Sequence, residues 1–267
     1  MKKPATTKTV EWNHMHQLLF TTSWDDGHVL DTRIAELLNR YGLKGTFYVL
    51  PSGGRENAIQ EKSIKELSAQ HEIGAHTLKH ENVSTYDKEN LAKEIVGSKT
   101  WIESITDKPC NMFCYPRGDT TLEAKQLVQE AGFIGARTTK MMEFGPVNDP
   151  YLLPTTLQTY PFPWRPKYKQ WWHHLDPLGP MRVKLSRMCQ LKMPLRAYTS
   201  WQSLAQSLLL SSIRTKQPFF HIWGHAKEID RYDMWDDLQE FFAFARKQNI
   251  MPVTNSELIT SVDTYSL

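Results

Sequence analysis

Short apolar runs alternate with amphipathic stretches of helical period through the first half of this chain, the pattern of β-α units that feed a parallel sheet or barrel. The spacing predicts strands over residues 18–23, 45–50, 72–76, 111–115 and 133–137. Helices are expected from about Asp31 to Tyr41 and Gly42, with Ile34, Leu37 and Leu38 at helical spacing, and over 64–70, 88–105 and 122–131. From Pro146 to about Pro194 the chain changes character, with Tyr160, Pro161, Phe162, Pro163, Trp164, Arg165 and Pro166 in one run and Trp171, Trp172, His173 and His174 in another. A structureless loop of that length is unusual inside a compact domain, so short helices over one end of the sheet are expected there. The alternation resumes with a helix around 201–212, a strand at 218–223, a helix near 234–248, a short strand at 251–253 and a last helix capped by Asn255 or Ser256. The expectation is a single domain over 1–267, interrupted by an insertion at about 146–200.

Composition narrows the function classes. At 267 residues the chain can bury one large core, and 40% hydrophobic with 23% charged residues is ordinary for a globular protein. The net charge of +3, with Lys and Arg mixed among Asp and Glu, gives no reason to expect nucleic acid or an anionic membrane as partner. No segment approaches the length of a membrane span, and the start (Met1, Lys2, Lys3, Pro4, then a Thr-rich stretch) lacks the apolar run of a secretory signal, so a cytoplasmic location is expected. Cys110, Cys114 and Cys189 are odd in number and form no CxxC pair, which argues against a disulfide framework and a structural zinc site.

Polar clusters fall at the C-terminal ends of the expected strands, where β/α barrels and open α/β sheets build their sites. The first is Ser23, Trp24, Asp25, Asp26, Gly27. Its adjacent carboxylates repel one another unless a cation lies between them or one is protonated; alone, Asp26 would read as a helix cap and Asp25 as a solvated turn residue. The second is His76, Thr77, Leu78, Lys79, His80. Histidines four apart can point the same way, and neutral imidazole suits zinc, cobalt or nickel. An aspartate at one strand end and this pair at another would supply an Asp-His-His triad with open positions for water and substrate. Two further strand-to-loop transitions are Phe113, Cys114, Tyr115, Pro116, Arg117, Gly118 and Phe219, Phe220, His221, Ile222, Trp223, Gly224, His225.

In order and spacing these motifs resemble the polysaccharide deacetylase family, the carbohydrate esterases with a NodB homology domain, over about residues 21–258. The resemblance implies an α/β fold, a distorted (β/α) barrel of the NodB type. It implies that Asp25 is the general base, that Asp26, His76 and His80 hold a divalent metal, and that His221 protonates the leaving amine, with His225 the fallback. The family's third motif departs here: its arginine, which pairs with the base, is Cys114, and Arg117 stands at the position whose backbone N–H stabilises the oxyanion. Arg137, at the end of the next strand, is the candidate replacement, the alternative being an ordinary surface arginine. No counterpart of the family's fourth motif is evident. Tyr115, Pro116, Trp223 and His225 are expected to line the substrate.

The expected activity is removal of an N-acetyl group from an amino sugar or glycan by a metal-dependent hydrolase. Zn²⁺ is the first choice, and Co²⁺, Ni²⁺ or Fe²⁺ would fit the same ligands. Two alternatives stay open: hydrolysis of another C–N bond, as in ureides or formamides, and a catalytically silent carbohydrate-binding module. His28 could line the site, and Trp171, Trp172, His173 and His174 could form a sugar-stacking wall or pack the insertion onto the barrel.

Overall fold

The computed structural model describes residues 17–143, 145–165 and 191–263. Strands β1 (Leu18–Asp25), β2 (Thr46–Val49), β3 (Glu72–Ala75), β4 (Met112–Cys114) and β5 (Gly135–Arg137) are joined by helices α1 (Asp31–Arg40), α2 (Glu61–Leu67), α3 (Lys88–Thr106) and α4 (Leu122–Glu130). Then come β6 (Leu157–Gln158), α5 (Trp201–Arg214), β7 (Phe219–Gly224), α6 (Ala226–Arg231), α7 (Trp235–Arg246), β8 (Ile250–Pro252) and α8 (Asn255–Asp263). The strands pair in parallel in the order β5-β4-β3-β2-β1-β7-β6, and β8 also pairs with β1. β7 runs along one edge of β1, while β8 meets Leu18–Phe20 and β2 meets Ser23–Asp25 on the other. The result is a curled parallel sheet clothed in helices, the distorted (β/α) barrel expected.

Strand alternation sorts the side chains into two cores. From β1, Phe20 and Trp24 face the helices, where Phe20 stacks on Phe220 at 5.9 Å and Trp24 meets Phe242 edge-on at 6.5 Å. Leu19 faces the barrel interior in a smaller cluster with Tyr48, Met112, Cys114, Leu153, Phe219, Leu258 and Ile259. Because α8 contributes to this inner cluster, it plugs the barrel at the N-terminal ends of the strands. The inner face also carries polar groups: Thr21 Oγ1 donates to Asn255 Oδ1 at 2.8 Å, and Asn255 Nδ2 donates to the Tyr48 hydroxyl at 2.8 Å. Helix α3 starts at an Asp87 cap that accepts from Asn90 N, and it ends where Asp107 turns to φ 56. Its buried positions Leu91, Ile95, Ser98 and Ile102 form one stripe.

Two expectations need correction. Residues 153–159, expected inside an insertion, instead close the sheet. Leu153 N donates to Ala136 O at 2.8 Å on the β5 side, and Thr156 N to His221 O at 2.8 Å and Thr159 N to Trp223 O at 2.7 Å on the β7 side. A two-residue strand within a Pro-broken stretch has no periodicity to detect; backbone hydrogen bonds define it. In addition, β1 runs through Asp25, two residues beyond the expected end, which turns that carboxylate into the barrel. The expected helical character between strands appears as 3₁₀ turns at Pro150–Leu152 and Leu195–Tyr198. His14, His16, Trp171, Trp172, His173, His174 and Cys189 lie outside the described residues.

Candidate functional site

Asp25 continues the inward row of Leu19, Thr21 and Ser23 and is 3% exposed at the C-terminal mouth of the barrel. At Asp26 the backbone swings to φ 78 and at Gly27 to φ 60, so the next carboxylate leaves the strand and crosses the mouth. Aspartate enters this left-handed region more readily than most residues and glycine enters it freely. A Cβ on Gly27 would also press within 3.2 Å of Ile59 Cγ2.

His76 follows β3 directly. Its Nδ1 lies 2.8 Å from the Cys114 carbonyl, which can only accept, so Nδ1 carries the proton and the Nε2 lone pair faces Asp26 Oδ1 at 3.7 Å. Burial lowers the His76 pKa to about 4, which keeps the ring a neutral ligand. Thr77 at φ 62 and His80 at φ 59 fold the next segment back on itself. The buried Glu94 of α3 pins it there, its Oε2 accepting from Leu78 N at 2.9 Å and Lys79 N at 3.0 Å. His80 Nε2 thereby comes within 3.2 Å of Asp26 Oδ1. The ligand atoms of Asp26, His76 and His80 all lie within 4.8 Å of one another, as do those of an overlapping set, Asp25, His76 and Cys114.

The first set fits a divalent cation. Asp26 Oδ1 is buried and has no hydrogen-bond partner among the described residues, although two imidazole nitrogens face it. A buried carboxylate oxygen without a donor is costly. One carboxylate with two neutral imidazoles is a donor set for zinc and for cobalt, nickel or ferrous iron. Burial works against the Asp26 carboxylate, but His80, His225, His76 and Lys227 around it outweigh burial and hold it well below the usual carboxylate range.

Arg137, at the end of β5, reaches Asp25 across the barrel interior. Its Nη2 donates to Asp25 Oδ1, with side-chain exposures of 0% and 4%. Its guanidinium lies over the rings of Trp223, at 4.8 Å, and Tyr48, at 5.2 Å. Cys114 and Arg137 are paired across β4 and β5, so the two positions are side by side in the sheet. It is a buried partner of Asp25 and not a surface arginine.

The two C-terminal histidines lie at different levels of the barrel. β7 is registered on β1 so that His221 pairs with Thr21 and Gly224 with Trp24. His221 therefore sits four rungs below the level of Asp25, about 13 Å at the usual strand rise. Both ring nitrogens are engaged: Nδ1 with Pro154 O at 3.1 Å and Nε2 with Ser23 Oγ at 2.9 Å. Burial, with Arg137 adding to it, lowers the His221 pKa to about 3. Both ring nitrogens of His221 are therefore committed inside the barrel, below the level of Asp25. His225, just past β7, has Nε2 4.0 Å from Asp26 Oδ2 and Nδ1 2.8 Å from Glu228 Oε2. Burial alone would lower its pKa, but the Glu228 hydrogen bond and the carboxylates of Asp25, Glu228 and Asp26 raise it.

Of the residues expected to line the substrate, Tyr115 points the wrong way. Met112 and Cys114 face inward, so alternation turns Tyr115 outward, where it packs on Phe113 at 5.3 Å and its hydroxyl donates to Tyr151 O at 3.2 Å. Pro116 is buried, and Trp223 lies beneath the Arg137 guanidinium. Arg117 has φ 55, and its side chain is exposed and donates to Asn82 Oδ1 at 3.2 Å. Gly118 beside it is obligatory: at φ 72, a Cβ would fall 2.0 Å from Thr139 Oγ1. His28 sits next to the turn, and burial, Lys227 and Arg55 lower its pKa. Glu94, Lys227 and Glu228 were not singled out from the sequence; an acidic or basic residue at helical spacing carries no signal that it reaches back to a neighbouring loop.

Fold and site together define a (β/α) barrel with a candidate metal centre at the C-terminal mouth. Residues 15–136, a stretch that includes Asp25, Asp26, His76 and His80, match the model of the polysaccharide deacetylase family. No curated protein matches the sequence. Among solved structures, a protein from Mycobacterium smegmatis named as a candidate polysaccharide deacetylase is 16% identical over 97% of this chain and 94% of that one, at TM-score 0.66. A family 4 acetyl xylan esterase from Clostridium thermocellum, in complex with a cobalt ion, is 15% identical over 91% of each chain, at TM-score 0.57. A CE4 family pseudoenzyme from Bacillus anthracis is 15% identical over 91% of this chain and 66% of that one, at TM-score 0.56. The chain spans 62% of a Streptococcus pyogenes deacetylase at TM-score 0.47. At these identities the likeness is one of fold. Among the described residues no helix is long and apolar enough to cross a membrane.

Proposed function

We propose that this protein is a metal-dependent deacetylase that removes an N-acetyl group from an amino sugar or glycan. The observation that carries this is the convergence at one barrel mouth of Asp26, His76 and His80 with Asp25, whose carboxylate is backed by the buried Arg137. A divalent cation held by Asp26, His76 and His80 would lower the pKa of a bound water and polarise the acyl carbonyl. Asp25 takes the proton of the attacking water, and Arg137 supplies its counter-charge and fixes the carboxylate in place. The Arg117 backbone N–H, at the loop after β4, is the group that would face the developing oxyanion. His225 delivers the proton to the leaving nitrogen, in place of His221. It stands at the level of Asp25, its Nε2 faces the site, and Glu228 on its Nδ1 supports the imidazolium.

Acetate release measured across acetylated sugars, nucleotide sugars and oligosaccharides, after loading with zinc or cobalt, tests the proposal. Turnover of at least one of them, abolished in Asp26→Ala together with bound metal, is the expected result. Purified protein that holds no stoichiometric divalent metal, or that releases no acetate from any member of the panel, refutes it.

A further inference from the structure

The two oxygens of Asp26 face different neighbours. Oδ1 is turned to the His80 and His76 imidazoles at 3.2 and 3.7 Å and has no hydrogen-bond partner among the described residues. Oδ2 takes the ammonium of Lys227, which reaches in from the first turn of α6 with its side chain 49% exposed. We infer that Lys227 is a tethered counter-cation that shares Asp26 with the metal, so that ammonium and metal ion each weaken the hold of the other.

The physical argument is one of charge. Asp26 is 8% exposed and leaves the strand at a φ 78 turn, so its carboxylate has little water around it to share its charge. The Lys227 ammonium touches Oδ2, and His225 Nε2 lies 4.0 Å from the same oxygen. A divalent ion between Oδ1 and the two imidazoles would share one small carboxylate with this ammonium, and two cations on one anion repel across a few ångströms. The contact with Oδ2 also leaves Oδ1 as the only oxygen directed at the imidazoles, so Asp26 would serve as a one-oxygen ligand. The stem of Lys227 is flexible and half exposed, so the ammonium can yield toward solvent when the ion arrives. Because the two cations are linked through one carboxylate, whatever Lys227 contributes to the metal-free protein is subtracted from metal affinity.

This inference rests on the proposed metal site and is tested apart from activity. Zinc dissociation constants are measured by competition with a chromophoric chelator for the wild type, Lys227→Met and Lys227→Arg, and melting temperatures are taken with and without zinc. Lys227→Met should bind zinc at least about tenfold more tightly than the wild type. Its metal-free form should melt lower and its zinc-loaded form close to the wild type, while Lys227→Arg should keep wild-type affinity. Equal or weaker zinc binding by Lys227→Met, with the wild type binding normally, overturns the inference and leaves the metal site standing. A wild type that binds no zinc or cobalt overturns both.

Discussion

Replacing Arg137 by methionine asks whether Asp25 depends on a counter-charge brought across the barrel from β5. The pair has almost no access to solvent, the side chains being 0% and 4% exposed. Methionine preserves much of the stem that lies against Tyr48 and Trp223, so the loss is mainly electrostatic and not a cavity. Deleting one partner of a buried ion pair costs about 3–5 kcal/mol, because the other charge stays buried alone. For a chain of this size each kcal/mol lowers the melting temperature by about 2–4 °C, so the expected drop is roughly 6–20 °C. Turnover should fall about 10²–10⁴-fold, the range for a lost general base. Urea denaturation followed by two probes gives the stability, and acetate release gives the turnover. The double variant Asp25→Asn/Arg137→Met, which leaves neither charge unpaired, should be more stable than the sum of its single variants predicts, by about 0.5–3 kcal/mol. An Arg137→Met protein that melts within about 2 °C of the wild type and turns over normally would refute the dependence of Asp25 on this arginine.

Other expectations follow from the same geometry. His225→Ala should lower kcat by about 10²–10⁴-fold with little change in melting temperature, whereas His221→Ala should lower the melting temperature because Ser23 Oγ and Pro154 O lose their partner; the reverse pattern in paired activity and melting measurements would restore His221 as the acid. Glu94→Ala removes the acceptor that pins Leu78 and Lys79, and zinc affinity should weaken by about 10–100-fold with all three ligands intact; an unchanged dissociation constant in chelator competition rules out that support role. Burial lowers the His71 pKa to about 4, so between pH 4 and the ordinary value of 6.5 the folded protein binds fewer protons than the unfolded chain. That share of stability is complete above about pH 6.5 and is lost as pH falls toward 4, by about 3 kcal/mol in all. Urea midpoints across this range should slope less steeply in His71→Leu than in the wild type, and parallel slopes would contradict the assignment.

Much of the site was legible because its signals are local. Asp25, Asp26 and Gly27, and His76 with His80, each lie within five residues of one strand end, and the apolar runs ahead of them mark those ends without a structure. What was not legible depends on relations between distant strands. Whether His221 or His225 stands level with Asp25 is decided by the pairing of His221 with Thr21, and no local pattern in β7 encodes that register. The closure of the barrel by residues 153–159 is likewise a matter of backbone hydrogen bonds to β5 and β7, made by a segment whose prolines suggest a loop. Tyr115 is different: alternation from Met112 and Cys114 already turns it outward, so its orientation was available from parity alone.

The pairing of Cys114 with Arg137 has a further consequence. Side chains at facing positions of adjacent strands leave the sheet on the same side about 4.8 Å apart, a distance a long guanidinium stem spans easily. A requirement for positive charge beside Asp25 can therefore be met from either of two addresses that lie far apart along the chain and side by side in space. The positive charge beside Asp25 thus belongs to a rung of the ladder, the one that pairs Cys114 with Arg137, and not to a fixed column of the chain.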